Sequence, residues 1–367
     1  MSPRAREIIR LLANSKPCSG ETIAAAVGIS RAAVWKILHQ LDAELGLGIE
    51  SVRGQGYRLP EPIELLSSEA IQAQLDAQAR QRISVLEILD QIDSTNAYLL
   101  ASGRRTVLTA TSSARDCGSD LAVDAGEICA NVGEICVDVD EICADAGEIC
   151  LAERQSAGRG RLGRRWVSPF GRNIYLSILW RYPLAPVQLG GLSLACGVAV
   201  AQALDKLGVE GIGLKWPNDV HWQRRKLAGL LLEVAGEAQG PSLVVVGVGL
   251  NLRLRAEEAA AIDQPWVDLC EVCGDRMPGR NALAAALIER LTATLSRYTD
   301  AGLAPFLDDW RRLDAYQGES VSLLNGQQRI QGRYCGIDAQ GNLLLETDAG
   351  RRTFAAGEVS LRPRGNG

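Results

Sequence analysis

Between Gly158 and Trp166 the chain reads Gly-Arg-Gly-Arg-Leu-Gly-Arg-Arg-Trp. Glycines let a backbone approach a ligand closely and present its N–H groups. Interleaved arginines offer forked donors that match phosphate and carboxylate oxygens. From Leu151 to Arg172 there are six arginines and one acid, a net charge of +5. Alone, such a loop suits a phosphate cradle, a nucleic-acid contact or a solvated basic turn. Three more clusters stand around it: Asp93-Ser-Thr-Asn96, Lys215-Trp-Pro-Asn-Asp219 and Arg225-Lys-Leu-Ala-Gly229. Together they supply hydroxyls, amides, two carboxylates and two lysines beside the Gly/Arg loop.

These clusters sit at the ends of apolar runs. Asp93–Asn96 follows the expected strand Ser84–Ile92. Lys215–Asp219 follows the short strand Ile212–Leu214, and Arg225–Gly229 opens a strand at Leu230–Val234. Asn173–Trp180 and Leu243–Val248 also read as strands. Leu192–Leu207, Asn281–Tyr298 and Ala304–Leu313 read as helices, with Leu65–Gln81 as a connecting helix. Asn251, in Gly247-Val-Gly-Leu-Asn251, either faces a ligand or simply ends its strand. The central part, about 63–315, is expected to be a mixed α/β domain. Beyond it, Ser320–Leu324, Arg329–Ile337, Asn342–Thr347 and Arg352–Ala355 read as short strands joined by Asn-Gly and Gln-Gly turns, a small β-barrel over 316–367.

Residues 1–62 have another character. Ala5–Ala13 forms a short amphipathic helix. Ser19 caps Glu21–Val27, Gly28 ends it, and Ser30 caps Arg31–Leu45, a helix-turn-helix. Ile49–Leu59 folds as two strands about a Gly-rich turn, a wing. Residues 1–60 carry eight Lys/Arg against five Asp/Glu, while the whole chain has a net charge of −5. That local excess favours DNA over protein docking, with Arg31, Lys36, Arg53 and Arg58 as the DNA-binding residues. Pro60 and Pro62 stiffen the linker.

The four clusters, in this order, resemble the bacterial biotin–protein ligases. The winged helix and the C-terminal segment place the resemblance with the bifunctional ligase–repressors, over essentially the whole chain except about 111–146. The fold implied is multidomain α+β: a winged helix-turn-helix, a ligase domain and an SH3-like barrel. The implied reaction joins biotin to ATP as biotinyl-5'-AMP, with Mg2+, and then passes biotin to a lysine of the biotin carboxyl carrier protein of acetyl-CoA carboxylase. The adenylate would also act as corepressor, driving a homodimer onto operator DNA of biotin synthesis genes.

Carried onto this chain, the resemblance makes Lys226, Arg159, Arg161 and Asp219 catalytic. On the residues alone Lys226 reads as an exposed lysine in a hairpin turn. Ser94, Thr95, Asn96, Gln155, Gly158 and Gly229, with Arg159 and Lys226, would bind biotin. Arg161, Trp166, Lys215, Asn218, Asn251, Trp266 and Arg362 would bind ATP, the two tryptophans at the adenine end unless they are plain core. A ligase without repressor activity and a lipoate-type ligase are the alternatives.

With 47% hydrophobic residues the chain of 367 can bury large cores. It has neither a signal-like h-region nor an apolar run of 18, so a soluble cytoplasmic protein, with no membrane role, is expected. Its ten cysteines are then expected as thiols. Cys270-Glu-Val-Cys273 has no second pair to complete a zinc ribbon, and no metal site is expected. Glu-Ile-Cys recurs at 127–129, 134–136, 141–143 and 148–150, and Asp116–Cys150 holds ten acids and no base. This stretch reads as tandem duplication of one strand, its last copy running into Leu151-Ala-Glu153.

Overall fold

The computed structural model describes residues 1–103, 146–325, 328–356 and 359–363, the last stretch by its backbone. The expected repeat over 111–146 therefore lies outside the described residues, apart from its end.

Three helices open the chain: α1 (Pro3–Leu12), α2 (Gly20–Val27) and α3 (Arg31–Leu45). The hydroxyls of Ser2, Ser19 and Ser30 each accept from a backbone N–H in the first turn of the helix they precede. Gly28 and Gly46 close α2 and α3 in the left-handed conformation, which glycine adopts without strain. Ile8, Ile9, Leu12, Ile23, Val34, Leu38 and Leu41 form a small core, and Phe170 of the central domain packs into it. The wing is β1 (Glu50–Val52) against β2 (Gly56–Arg58). Cys18 pairs its backbone with Tyr57 on the other side.

The expected connecting helix is two helices, α4 (Ser68–Gln74) and α5 (Ala77–Gln81). Leu75 turns extended and the Asp76 carboxylate accepts from Ala79 N at 2.6 Å. That local bond competes with helix continuation, so the helix restarts.

The central sheet has seven strands: β3 (Ile83–Leu89), β4 (Gly147–Ala152), β5 (Ile174–Tyr182), β6 (Ile212–Lys215), β7 (Asp219–Trp222), β8 (Arg225–Gly236) and β9 (Ser242–Leu250). Their order is β3-β4-β5-β9-β8-β7-β6. Only β3 and β4 run parallel. The last copy of the repeat, Glu148-Ile-Cys150, lies in β4. A helix, α6, spans 95–103 as described. The core helices are α7 (Leu192–Lys206) and α10 (Arg280–Ala301), with the shorter α8 (Ala256–Ala259), α9 (Leu269–Cys273) and α11 (Leu307–Leu313). β5 is buried along almost its whole length, as a strand covered on both faces must be. The segment Pro186–Lys206 is long and apolar enough to cross a membrane. Here most of it is α7, in the hydrophobic core beside α10.

β8 differs from expectation. It is one twelve-residue strand that already contains Arg225–Gly229. The hairpin turn before it is Gln223-Arg224, both at positive φ. Lys226 is thus a strand residue, 9% exposed.

The C-terminal domain is an antiparallel sheet, β13-β12-β11-β10-β14, of β10 (Ser320–Asn325), β11 (Gln328–Ile337), β12 (Leu343–Thr347), β13 (Gly350–Phe354) and β14 (Val359–Pro363). β14 was not anticipated. Among the described residues β13 and β14 are edges that do not pair, so the sheet is open where a closed barrel was expected. The described cysteines are free thiols, and Cys270 and Cys273 sit on α9.

Candidate active site

One cavity gathers residues from all four clusters. Ser94, Thr95, Asn96, Gln155, Arg159 and Arg161 line it from one side. Trp166, Asn218, Asp219, Lys226, Gly229, Asn251 and Trp266 complete it. The parallel pair β3/β4 explains much of this. It delivers Ser94 and Gln155 at neighbouring strand ends, tied by the backbone bridge Ile92–Gln155. The antiparallel strands β7, β8 and β9 bring Asp219, Lys226, Gly229 and Asn251 to the same place.

At the amide end, Thr95 N donates to Gln155 Oε1 at 2.9 Å, and Gln155 Nε2 donates to Ser168 Oγ at 3.2 Å. Ser177 Oγ donates to Asn96 Oδ1 at 2.6 Å and lies 2.7 Å from Thr95 Oγ1. Asn96 Nδ2 donates to Glu233 Oε2 at 2.8 Å and to Leu231 O at 3.1 Å. Thr95, Asn96, Ser168 and Ser177 are buried, Gln155 and Glu233 partly so, and all are mutually held, a rigid polar wall. Glu233 also pairs with Arg159 at 2.8 Å.

At the charged end, Lys226 Nζ stands 2.7 Å from Asp219 Oδ1. Burial by itself would raise the Asp219 pKa. The Lys226 ammonium, the nearby His221 ring and the Lys215 charge outweigh it and hold the carboxyl well below the usual carboxylate range. Arg161 donates to Asn218 Oδ1 at 3.2 Å and to Ala356 O of the C-terminal domain. Burial lowers the Arg161 pKa from its ordinary value, against the pull of Asp219; the group stays cationic.

The indole of Trp166 lies on the strands themselves. A Cβ on Gly249 would stand 2.4 Å from Trp166 Cε2, and one on Gly229 would stand 3.2 Å from its Cζ3 and 3.0 Å from Lys226 Cε. The two glycines therefore form a floor on which the ring rests, with Lys226 Nζ 5.4 Å from the ring centroid. The expectation of an adenine partner for Trp166 meets a ring seated instead beside Gly229 and Lys226.

Some expected residues are placed otherwise. Gly158 does not line the cavity; a Cβ there would stand 2.5 Å from Ser168 Oγ and 2.6 Å from Trp166 O. It is required by loop packing. Lys215 is buried behind the lining, 5.7 Å from the Tyr316 ring. Asn251 faces the cavity and also donates to Val267 O at 3.2 Å. Arg362 lies on β14 opposite Ser322, and its side chain is outside the described residues. Glu233, Ser177, Gly249 and the segment 261–264 belong to the site and were not anticipated. Gly247-Val-Gly249 carried the one available signal, since two glycines inside a buried strand indicate close approach by another group.

In the winged helix, Arg31, Lys36 and Arg53 are exposed. Arg31 is 3.6 Å from Glu21 Oε1, and Arg58 is paired with Glu50 across the wing at 2.7 Å. Arg255 donates to Gly46 O at the end of α3, and Arg172 pairs with Glu61 in the linker, so the central domain grips the winged helix.

The chain matches the family models described as Biotin/lipoate A/B protein ligase family over residues 142–251, HTH domain over 4–58 and Biotin protein ligase C terminal domain over 317–362. It is 39% identical to the bifunctional ligase/repressor BirA of Escherichia coli over 356 residues, 97% of this chain and 96% of that protein. It is 25% identical to that of Bacillus subtilis over 364 residues, 97% of this chain and 98% of that one. The biotin protein ligase of Aquifex aeolicus, solved with biotin and ATP, superposes with a TM-score of 0.55 at 27% identity, covering 77% of this chain and all of that one. A cavity of ligand-sized cationic and amide donors, a helix-turn-helix before it and a relative matched end to end agree: this chain belongs to the bifunctional biotin–protein ligase/repressor family.

Proposed function

We propose that this protein forms biotinyl-5'-AMP from biotin and ATP and transfers biotin to a lysine of a biotin carboxyl carrier protein, and that the adenylate-bound form represses transcription as a homodimer. The observation that carries the ligase reading is the meeting of Arg159, Arg161, Asn218 and Lys226 with the Ser94–Thr95–Gln155 wall in one cavity. A ureido ring needs fixed amide and hydroxyl partners. The wall of Ser94, Thr95, Asn96 and Gln155 supplies them. Lys226 and Arg159 lie where the biotin carboxylate meets the α-phosphate, and offset both anions as the carboxylate oxygen bonds to phosphorus and pyrophosphate leaves. Arg161, Asn218, Lys215 and Arg362 hold the nucleotide phosphates. Asn251 and Trp266 border the nucleoside. In the second step Asp219 steadies the acceptor ammonium, which must lose a proton before its amine attacks the acyl carbon and AMP departs.

The Gly/Arg loop and Trp166 cover the site and keep water from the mixed anhydride. Trp166 must leave the Gly229–Gly249 floor when biotin enters. Among the described residues no group of three or more His, Cys, Asp or Glu comes together. Mg2+ would accordingly arrive on the triphosphate, as is usual for a cation that keeps substrate phosphates as ligands. The C-terminal sheet, SH3-like on this reading, lends Ala356 O to Arg161. Cytoplasmic residence follows from the carrier protein and operator as partners.

ATP–pyrophosphate exchange tests this reading: exchange with biotin and none with lipoate is expected, and the reverse refutes it. For the repressor, operator DNA should bind much more tightly with biotin and ATP together. Arg31→Ala should weaken that binding without touching exchange. Equal operator affinity with and without the adenylate would leave only the ligase.

A further inference from the structure

His221 is one of two histidines in the chain. It is 4% exposed, on β7 two residues after Asp219. Its Nδ1 is 3.1 Å from Tyr316 Oη, and the rings meet edge-on at 5.7 Å and 84°. Its Nε2 is buried without a hydrogen-bond partner and stands 4.0 Å from Asp219 Oδ2. Asp219 Oδ1, the other oxygen, holds Lys226. Tyr316 is in the segment between α11 and β10, the entry to the C-terminal domain. Four groups therefore form a line: Tyr316, His221, Asp219, Lys226.

From this line we infer that His221 is a positioning residue, donating from Nε2–H to Asp219 so that Lys226 is free to leave the carboxylate for the substrate anions. The inference rests on the role proposed above for Lys226. A neutral imidazole has one N–H. If that hydrogen were on Nδ1, the buried Nε2 lone pair would face a carboxylate oxygen, two acceptors with nothing between them. If it is on Nε2, the ring donates to Asp219 and Tyr316 donates to Nδ1, and both contacts become favourable. Burial lowers the His221 pKa, while Asp219 pulls the other way and Lys215 and Lys226 add to the lowering, which keeps the ring neutral. Burial pushes the Tyr316 hydroxyl up to about 12, although Arg224 acts to lower it, so its proton is available to donate.

The arrangement matters when ligand arrives. Lys226 holds Asp219 at 2.7 Å. Turning to the carboxylate and α-phosphate, it would strand a buried anion, which is costly. His221 takes over that anion by closing a 4.0 Å gap to hydrogen-bond length, and Tyr316 fixes which nitrogen carries the hydrogen. The C-terminal domain thereby enters the reaction through one hydroxyl.

The test uses the full chain, biotin, ATP and labelled pyrophosphate. His221→Leu should lower kcat for exchange about 10- to 100-fold, with the KM values for biotin and ATP unchanged within about threefold. That is smaller than the roughly 100- to 1,000-fold loss of a donor that touches the reacting atoms, because His221 acts through Asp219. His221→Gln, which keeps an N–H donor, should recover at least half of the loss on a logarithmic scale. Tyr316→Phe keeps the ring and removes only the hydroxyl; it should lower kcat several-fold in wild type and have no further effect beside His221→Leu. A folded His221→Leu protein with wild-type kcat overturns the inference. So does equal loss in the Leu and Gln variants, or additive loss with Tyr316→Phe. Should His221→Leu not fold, Tyr316→Phe against His221→Gln decides alone: wild-type kcat in Tyr316→Phe overturns it. Lys226→Met is the control. If that variant exchanges normally, the proposed role of Lys226 has failed; if it is dead while His221→Leu is normal, only this inference has.

Discussion

Lys226→Met separates the catalytic and structural roles of one ammonium. Methionine keeps the unbranched stem along the buried strand and removes the charge 2.7 Å from Asp219. If Lys226 offsets the two reacting anions, the loss resembles that of a single preorganised donor, about 100- to 1,000-fold in kcat or ~3–4 kcal/mol. A structural cost accompanies it. Asp219 would keep Lys215 and His221 but lose its nearest cation, and breaking a buried pair from one side costs about 3–5 kcal/mol. For a domain of this size ~3 kcal/mol corresponds to roughly 6–12 °C in Tm. Adding Asp219→Asn removes the stranded anion. The double variant should therefore recover most of the Tm and none of the activity. Pyrophosphate exchange and thermal unfolding on the same samples give both numbers. Wild-type exchange by folded Lys226→Met would refute the catalytic argument, and an unchanged Tm in the single variant would refute the electrostatic one.

Three other outcomes are expected. The folded-state pKa of Asp219 lies below its unfolded value, so its contribution to stability is present above about pH 4 and fades as pH falls toward the folded value. Urea unfolding should thus show the gap between wild type and Lys226→Met narrowing below about pH 4, and a constant gap would contradict it. Glu153 is fully buried, with one oxygen 2.6 Å from Leu66 N and the other 2.7 Å from Arg280 Nη1. Glu153→Gln leaves Arg280 charged without its carboxylate and should cost about 3–5 kcal/mol in chemical denaturation; a loss under 1 kcal/mol would show that the carbonyls around Arg280 suffice. Deleting 125–145 keeps one Glu-Ile-Cys copy, and exchange should stay within a few-fold of wild type, because long insertions are thermodynamically cheap. A large loss of activity, or of bound zinc, would give the repeat a function.

The local parts of the fold were legible where one residue type dictates one geometry. Ser19, Gly28 and Ser30 marked the helix-turn-helix because a cap hydroxyl and a left-handed glycine have few other uses. The cavity was legible from its clusters, since Ser94–Asn96, Gln155, Asn218 and Lys226 are all there. What failed was longer-range. Gln223-Arg224 turns without glycine, so the start of β8 looked like a loop and Lys226 looked exposed. Asp76 gave a cap signal inside what read as one helix. β14 is a five-residue edge strand whose partner, β10, lies over thirty residues earlier. His221 and Tyr316 are 95 residues apart, and no spacing rule connects them.

The parallel register of β3 and β4 has a practical side. Ile83 stands opposite Gly147 and Leu89 opposite Ala152, so both strands point their far ends at the cavity. Gly147 therefore stands at the other end of the sheet, about 20 Å away at ~3.3 Å per residue. A fluorescent protein, an affinity tag or a targeting peptide spliced in just ahead of Ala146 would join at the strand end away from the reacting groups. This enzyme offers an internal attachment point for labelling cargo, leaving both termini, and the domains built on them, untouched.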